Sequence, residues 1–472
     1  MINEIAPMTI AQGDVVELTI SDLTDSGEGV GRAIDSLDET LRDRVVFVPD
    51  TVPGDRVSVR LVRVKRQYAH GKLLQVLDPS PQRQRPSCIV ADKCGGCQWQ
   101  HIEYPAQLEA KRNLVVQALT RIGGFGDPLV LPVLTGKQPL GYRNKATYPL
   151  GISATGQVQA GYYQKGSHKL VNLNQCPVQD DRLNPLLAQI KGDIKTRGWG
   201  IYQEESHSGD LRHLMLRIGS RTGEILLTLV ACRAKLLGLE AQAQEWLQRY
   251  PQLVGVCVNV NNDRTNRILG SRTRCIAGRG YLVEEFAGLQ FQLRSDTFFQ
   301  VNTDAAEALW AEIVNQLDFS GQEVVLDAYC GVGTFTLPLA KRVKRAIGVE
   351  VQLAAVEQAW QNAQLNGLTN ALFYDAKVED ILSAEGNTPE IPEHLDLVLL
   401  DPPRSGCDRS VLEALRQRQV EKIVYISCKP ATLARDLKIL CENGDYQLQH
   451  VQPVDFFPQT AHVECAAFLV RG

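Results

Sequence analysis

No stretch of the 472-residue chain stays apolar long enough to cross a bilayer, so a helical membrane span is not expected. The first residues, Met1-Ile2-Asn3-Glu4, lack the basic-then-apolar order of a secretory leader, which points to the cytoplasm and to no membrane partner. Charge of one sign is missing as well. With 50 Lys+Arg against 54 Asp+Glu the net charge is −4, so a polyanion would have to be held by local patches. Repeats and low-complexity tracts are absent. Twelve cysteines in a cytoplasmic setting argue against a disulfide framework, and Cys232, Cys257 and Cys441 sit in apolar stretches that read as core. Length allows about two to four domains.

The first eighty residues read as an all-β module. Alternating runs at 15–20, 45–48 and 57–64 are separated by turns containing Gly and Asp, a pattern that closes small OB-like barrels. Between Arg56 and Lys72 lie Arg60, Arg63, Lys65 and Arg66 with no Asp or Glu, which suits either a nucleic-acid patch or a solvated strand face. The stretch Asp25-Ser26-Gly27-Glu28-Gly29-Val30-Gly31-Arg32, followed by Val52-Pro53-Gly54-Asp55, resembles the TRAM domain, an RNA-binding module of tRNA- and rRNA-modifying enzymes. Pro79 to Pro86 reads as a linker, and an amphipathic helix from about Tyr104 to Arg121 ends at Gly123-Gly124. The expected boundaries are 1–80 for the barrel, 81–103 with 130–288 for a central α+β domain, 104–129 for a helix packed on the last domain, and 289–472 for that domain.

From about Phe291 onward strands and helices alternate, with strands at 323–328, 346–350, 371–374, 395–400 and 422–426. That order predicts a parallel, doubly wound α/β sheet, closed by an antiparallel pair at 446–451 and 464–470. In such sheets ligands lie outside the carboxyl ends of the strands. Gly331, Glu350, Asp401 and Cys428 fall at four of those ends. Asp327-Ala328-Tyr329-Cys330-Gly331-Val332-Gly333 follows a strand and opens a helix, and Glu350 follows at the interval where a carboxylate would accept both ribose hydroxyls. Thr336 stands where a dinucleotide fingerprint has its third glycine, which favours S-adenosylmethionine over a pyrophosphate cofactor. The tail of the chain is similar to the Rossmann-like class I methyltransferase fold.

A nucleophile on that sheet narrows the chemistry. Uracil C5 is a poor nucleophile until a thiolate adds at C6, and a general base must then remove the C5 proton so that the thiolate can leave. Cys428, in Tyr425-Ile426-Ser427-Cys428, supplies the thiol; His462 and Glu464 are candidates for the base. Together with Asp401-Pro402-Pro403-Arg404-Ser405-Gly406 and Phe298-Phe299-Gln300-Val301-Asn302, these segments resemble the RNA uracil-5-methyltransferase family. The resemblance implies Cys428 as nucleophile, Glu464 as base, and S-adenosylmethionine contacts from Gln300, Tyr329, Glu350 and Asp401, with Gly331 and Thr334 on the same loop. Two positions depart from the family pattern: Lys429 and Thr334 stand where Asn is usual.

Cys88, Cys94 and Cys97 are clustered, and Cys176-Pro177 lies further on. Four thiolates suit a [4Fe–4S] cluster and tetrahedral zinc equally. Family members that carry a TRAM domain typically hold the cluster, so the resemblance implies [4Fe–4S] in a structural or RNA-positioning role. Barrel and cluster together imply the branch acting on 23S rRNA, and a monomer is expected. The rivals are uracil-C5 methylation of tRNA, methylation of an exocyclic base nitrogen, and a non-catalytic RNA-binding iron–sulfur protein.

Overall fold

The computed structural model describes residues 11–32, 44–382, 391–392 and 394–472; positions 1–4, read above for a leader, lie outside them. The chain divides into two compact units, 1–114 with 457–462, and 115–456 with 463–472. Among the described residues no helix is long and apolar enough to cross a membrane.

The first unit contains a closed barrel of β1 (Val15–Leu23), β2 (Gly29–Arg32), β3 (Val45–Val48), β4 (Arg56–Val64) and β5 (Tyr68–Asp78), in the order β1-β2-β3-β5-β4. Alternation builds it: Leu18, Ile20, Val46, Val48, Val57, Val59, Leu61 and Ala69 point inward and form its core. Gly71 admits no side chain, because a Cβ there would lie 2.1 Å from Val59 Cγ1. The Pro79–Pro86 stretch is tied to the barrel rather than loose. Arg83 forms an ion pair with buried Asp55 and donates from Nη2 to the Asp50 carbonyl at 3.0 Å. Burial alone would raise the Asp55 pKa, but hydrogen bonds from Arg83 and from the Ser80 and Val52 amides hold it below the usual carboxylate value. Pro and Gln suggested a linker because a long-range ion pair leaves no local sequence signal.

The helix α1 (Tyr104–Ala118) begins in this unit and passes into the second. Its Gln107 donates to the Trp99 and Ile102 carbonyls and to Gln459 Oε1, and accepts from the Gln459 amide at 3.0 Å. One amide side chain thus fastens 457–462 into the first unit.

In the second unit α1 continues as a π-turn, Leu119–Gly123, ended by Gly124 at φ 76°. A seven-stranded, largely antiparallel sheet comprises β7 (Lys145–Ile152), β8 (Val158–Tyr163), β9 (Leu170–Asn172), β10 (Leu211–Ile218), β11 (Ile225–Ala231), β12 (Leu253–Val260) and β13 (Arg272–Gly278). After the hairpin β14 (Tyr281–Phe286) and β15 (Leu289–Arg294) comes the doubly wound sheet. Its members are β6 (Leu134–Thr135), β16 (Val324–Ala328), β17 (Arg345–Glu350), β18 (Ala371–Asp375), β19 (Leu397–Leu400), β20 (Lys422–Ser427), β21 (Tyr446–Asp455) and β22 (Glu464–Arg471). The order is β18-β17-β16-β19-β20-β22-β21-β6, with β16 to β20 mutually parallel and β22 antiparallel between β20 and β21. The inner strands are apolar on both faces, as helices covering both sides require. Cys257 is buried as its setting predicts, whereas Cys232 and Cys441 are only half-buried.

Candidate active site

The carboxyl ends of β16 and β19 are level, and β20 runs two residues beyond them. Ala328 pairs with Leu400 and Leu400 with Tyr425, so Tyr329 and Asp401 leave the sheet side by side and Ser427 and Cys428 follow just past them on the neighbouring strand. Across the antiparallel join Ile426 faces Ala466 and Ser427 faces Cys465. The ladder ends there, so Cys428 is the residue that follows β20 and Glu464 the residue that opens β22, each next to the last pair.

Glu464 is buried, and its pKa is pushed up to about 8 by burial and then by the Asp401 charge, with Arg404 pulling the other way. Asp401 is driven up to about 7 by burial. The half-buried Cys428 thiol is raised by burial, then by Glu464 and Asp401, against Arg404. These mutual effects place all four groups in one electrostatic neighbourhood. A carboxyl titrating near neutrality beside a thiol is poised for proton transfer. His462, the other candidate base, is exposed, and its ring centroid lies 6.0 Å from that of Phe457.

The loop carrying Asp401 is held from below. Tyr425 donates its hydroxyl to buried Asp436 Oδ2 at 2.5 Å, and the Cys407 amide donates to the same oxygen at 3.0 Å. Arg435 completes the carboxylate's partners from Nε at 2.7 Å. This network leaves no local signal, since a Tyr in a strand and an Asp in a helix are ordinary in themselves.

The Gly-rich turn follows β16 with left-handed backbone at Tyr329 (φ 70°), Gly331 (φ 55°) and Gly333 (φ 83°). A Cβ at Gly331 would meet nothing within 4 Å, so the residue leaves open space for a ligand to approach the backbone. Thr336 is buried and bonds Asp327 Oδ2 at 2.5 Å, which explains its presence where a dinucleotide site has glycine. A cleft of ≈ 480 Å³ is lined by Tyr329, Glu350, Lys377, Asp408 and Ser410 among others. Gln300, Gly331, Thr334 and Asp401 lie outside its lining. Lys377, Asp408 and Ser410 belong to no recognisable motif and were not expected.

Gln300 is buried on the segment before α2 (Thr303–Leu317), which Asn144, just ahead of β7, and Arg217, on β10, hold. Asn144 donates to the Gln300 carbonyl at 3.0 Å, and Arg217, fully buried, donates to the Thr297 carbonyl at 3.0 Å. Two basic side chains of the second unit, Arg212 and Lys145, are largely desolvated. Arg212 is buried, donating to the Asn261 and Asp263 carbonyls and lying over Tyr202. Lys145 is pulled down to about 7 by burial and by the neighbouring Arg217 and Arg143 charges. Arg143 is half-buried and donates from Nε to the Lys145 carbonyl at 3.0 Å. Sequence shows a charge but not its desolvation.

Cys88, Cys94 and Cys97 are half-buried on a turn-rich stretch of the first unit, where the Gly96 amide lies 3.4 Å from Cys94 Sγ and donates to it. Cys176 is buried in the second unit. Its amide donates to Asn184 Oδ1 at 3.1 Å, and the ammonium of Lys191 braces the preceding turn through the Leu173 carbonyl and the Asn172 and Asn174 side chains. Thiolates are the donors that soft metal centres take.

Residues 271–472 match the model of the tRNA (Uracil-5-)-methyltransferase family, and 11–74 match the TRAM domain. An RNA methyltransferase of Nostoc sp. is 64% identical over 97% of each chain, and one of Bacillus cereus is 37% identical over 98% of each. Among solved structures, the tRNA (uracil-54, C5)-methyltransferase of Pyrococcus abyssi, crystallised with S-adenosyl-L-homocysteine, superposes with TM-score 0.74 at 28% identity, covering 96% of this chain and 99% of that one. The chain belongs to the S-adenosylmethionine-dependent RNA uracil-5-methyltransferase family and carries a TRAM domain at residues 11–74.

Proposed function

We propose that the protein methylates C5 of a uridine in 23S rRNA, with Cys428 as nucleophile and Glu464 as base. The observation that supports this reading is the β20–β22 register, which ends at Ser427 and Cys465, together with the Glu464 and Asp401 charges that act on the Cys428 thiol. S-adenosylmethionine, when bound, supplies the electrophilic methyl group. Tyr329, Glu350, Gly331, Thr334, Gln300 and Asp401 are the residues proposed to hold it, and the open space at Gly331 fits a ligand against the backbone.

Cys428, as thiolate, forms a bond to C6 and moves the electron pair of the C5–C6 double bond toward C5, with the C4 carbonyl as sink. Once C5 carries the methyl group, Glu464 takes the remaining C5 proton. The electron pair returns to form the double bond and expels the thiolate. Burial serves both partners: a desolvated carboxylate is a stronger base, and water is kept from the adduct. The cysteines Cys88, Cys94, Cys97 and Cys176 are proposed as ligands of a [4Fe–4S] centre, which positions RNA rather than entering the reaction.

A 23S transcript containing 5-fluorouridine tests the reading, because fluorine cannot leave C5 as a proton does. A Cys428–RNA adduct stable to denaturing electrophoresis is expected, and it disappears in Cys428→Ala. Methylation retained by Cys428→Ala would instead indicate an exocyclic nitrogen. A second reading, tRNA as substrate, is favoured by the archaeal tRNA enzyme aligning over 99% of its own chain, barrel included. Fluorinated tRNA and rRNA transcripts in competition separate the two, and trapping of tRNA alone would overturn the rRNA assignment.

A further inference from the structure

The outer face of the barrel carries an aromatic cluster that the catalytic reading does not use. Phe47 on β3 stands beside Tyr68 and His70 on β5, since Val45 pairs with Tyr68 and Phe47 with His70. Ring centroids are 6.0 Å apart for Phe47 and Tyr68, 5.5 Å for Phe47 and His70, and 5.6 Å for Tyr68 and His70. All three alternate with the inward-facing Val46, Val48 and Ala69, so they add nothing to the interior of the barrel. Tyr68 is 36% exposed.

Cations surround the rings. Arg63 is paired across the sheet with His70, Arg60 with Lys72, and Lys65 and Arg66 form the β4–β5 turn. Arg56 is matched by Glu17, and His70 lies 3.7 Å from Glu28. Among the described residues Arg60, Arg63, Lys65, Arg66 and Lys72 have no carboxylate partner. In a chain of net charge −4, this gathering of cations beside partly exposed rings is a local feature.

We propose that Phe47, Tyr68 and His70 form a base-stacking platform for a single-stranded segment of the RNA substrate, with Arg60, Arg63 and Lys72 tracking its phosphates. The proposal rests on the reading of the protein as an RNA methyltransferase and adds where a second segment is gripped. Stacked bases present π-faces to exposed rings without regard to sequence, and flanking cations follow the backbone; a duplex offers no free face.

The test uses the full-length protein and a labelled oligoadenylate of about twelve nucleotides, which contains no uracil and spans one such barrel. Tyr68→Ala is expected to weaken binding about tenfold with the salt dependence unchanged, while Tyr68→Phe keeps wild-type affinity. Arg63→Gln is expected to lower the slope of log K against log salt by about 0.7. Wild-type affinity in Tyr68→Ala, or an equal loss in Tyr68→Phe, would overturn the stacking role. An unchanged slope in Arg63→Gln would overturn the phosphate role, and unchanged RNA binding in every variant would point to a protein partner instead. Adduct formation with saturating 5-fluorouridine transcript depends on Cys428 and is expected to survive Tyr68→Ala. Its absence in the wild type would sink the catalytic reading while leaving the oligoadenylate result interpretable.

Discussion

A carboxyl that titrates near neutrality can be charged in one condition and neutral in the next, and this site holds three. Asp327 and Asp401 are raised to about 7 and Glu464 to about 8, in each case first by burial. Glu464 must be ionised to accept the C5 proton, so turnover at saturating substrate should rise with pH through about 8 and then level. Glu464→Gln should remove that limb, cut methylation by about 10²–10⁴-fold and leave the Cys428 adduct to accumulate, read by gel shift at several pH values. An adduct that turns over normally in Glu464→Gln would assign the proton to another group. The stability effect has the opposite sign. A carboxyl with a raised folded pKa binds its proton more tightly in the native state, so its stabilisation is complete below about pH 4 and is lost as pH rises through about 7 to 8. The electrostatics that poise the base therefore cost stability at the pH where it works.

Among the elements, the loop after β19 depends on a strand and a helix for its shape. Tyr425 and Asp436 are buried, and their hydrogen bond at 2.5 Å is shared with the Cys407 amide. Tyr425→Phe removes one donor from a desolvated carboxylate, with an expected loss of about 1–3 kcal/mol in urea unfolding. The same change should raise KM for RNA more than it lowers kcat, because Asp401 and Arg404 are displaced while Cys428 and Glu464 remain on their strands. Stability unaltered by the substitution would show that the carboxylate finds its partners elsewhere. A neighbouring constraint is Gly348 in β17, where a Cβ would lie 2.6 Å from Phe373 Cδ1 and 2.8 Å from Cys330 Sγ. There glycine is required by packing rather than by φ.

At the scale of the molecule, the four thiols make a prediction about the whole chain. Anaerobically purified protein should contain iron and acid-labile sulfide, and its removal by chelator should lower Tm and weaken RNA binding while adduct formation persists at saturating RNA. Zinc in place of iron would keep the ligand set and overturn the cluster. Much of the architecture was legible beforehand, because strand and helix periodicity is written in contiguous residues. The parallel strands of the doubly wound sheet were expected within a residue or two of their observed ends, and the residues at those ends marked the site. Non-local contacts were not legible. The Arg83–Asp55 ion pair, the desolvation of Arg212 and Lys145, and the bracing of Gln300 by Asn144 all join residues far apart in sequence. The order of elements and the chemistry-bearing side chains that end strands were already written in the chain, since both follow from local pattern. That β20 and β22 pair and bring the Glu464 charge to bear on Cys428, that three barrel rings share one outer face, and which cations remain in water became visible only in three dimensions, because register and burial depend on which distant strands pair.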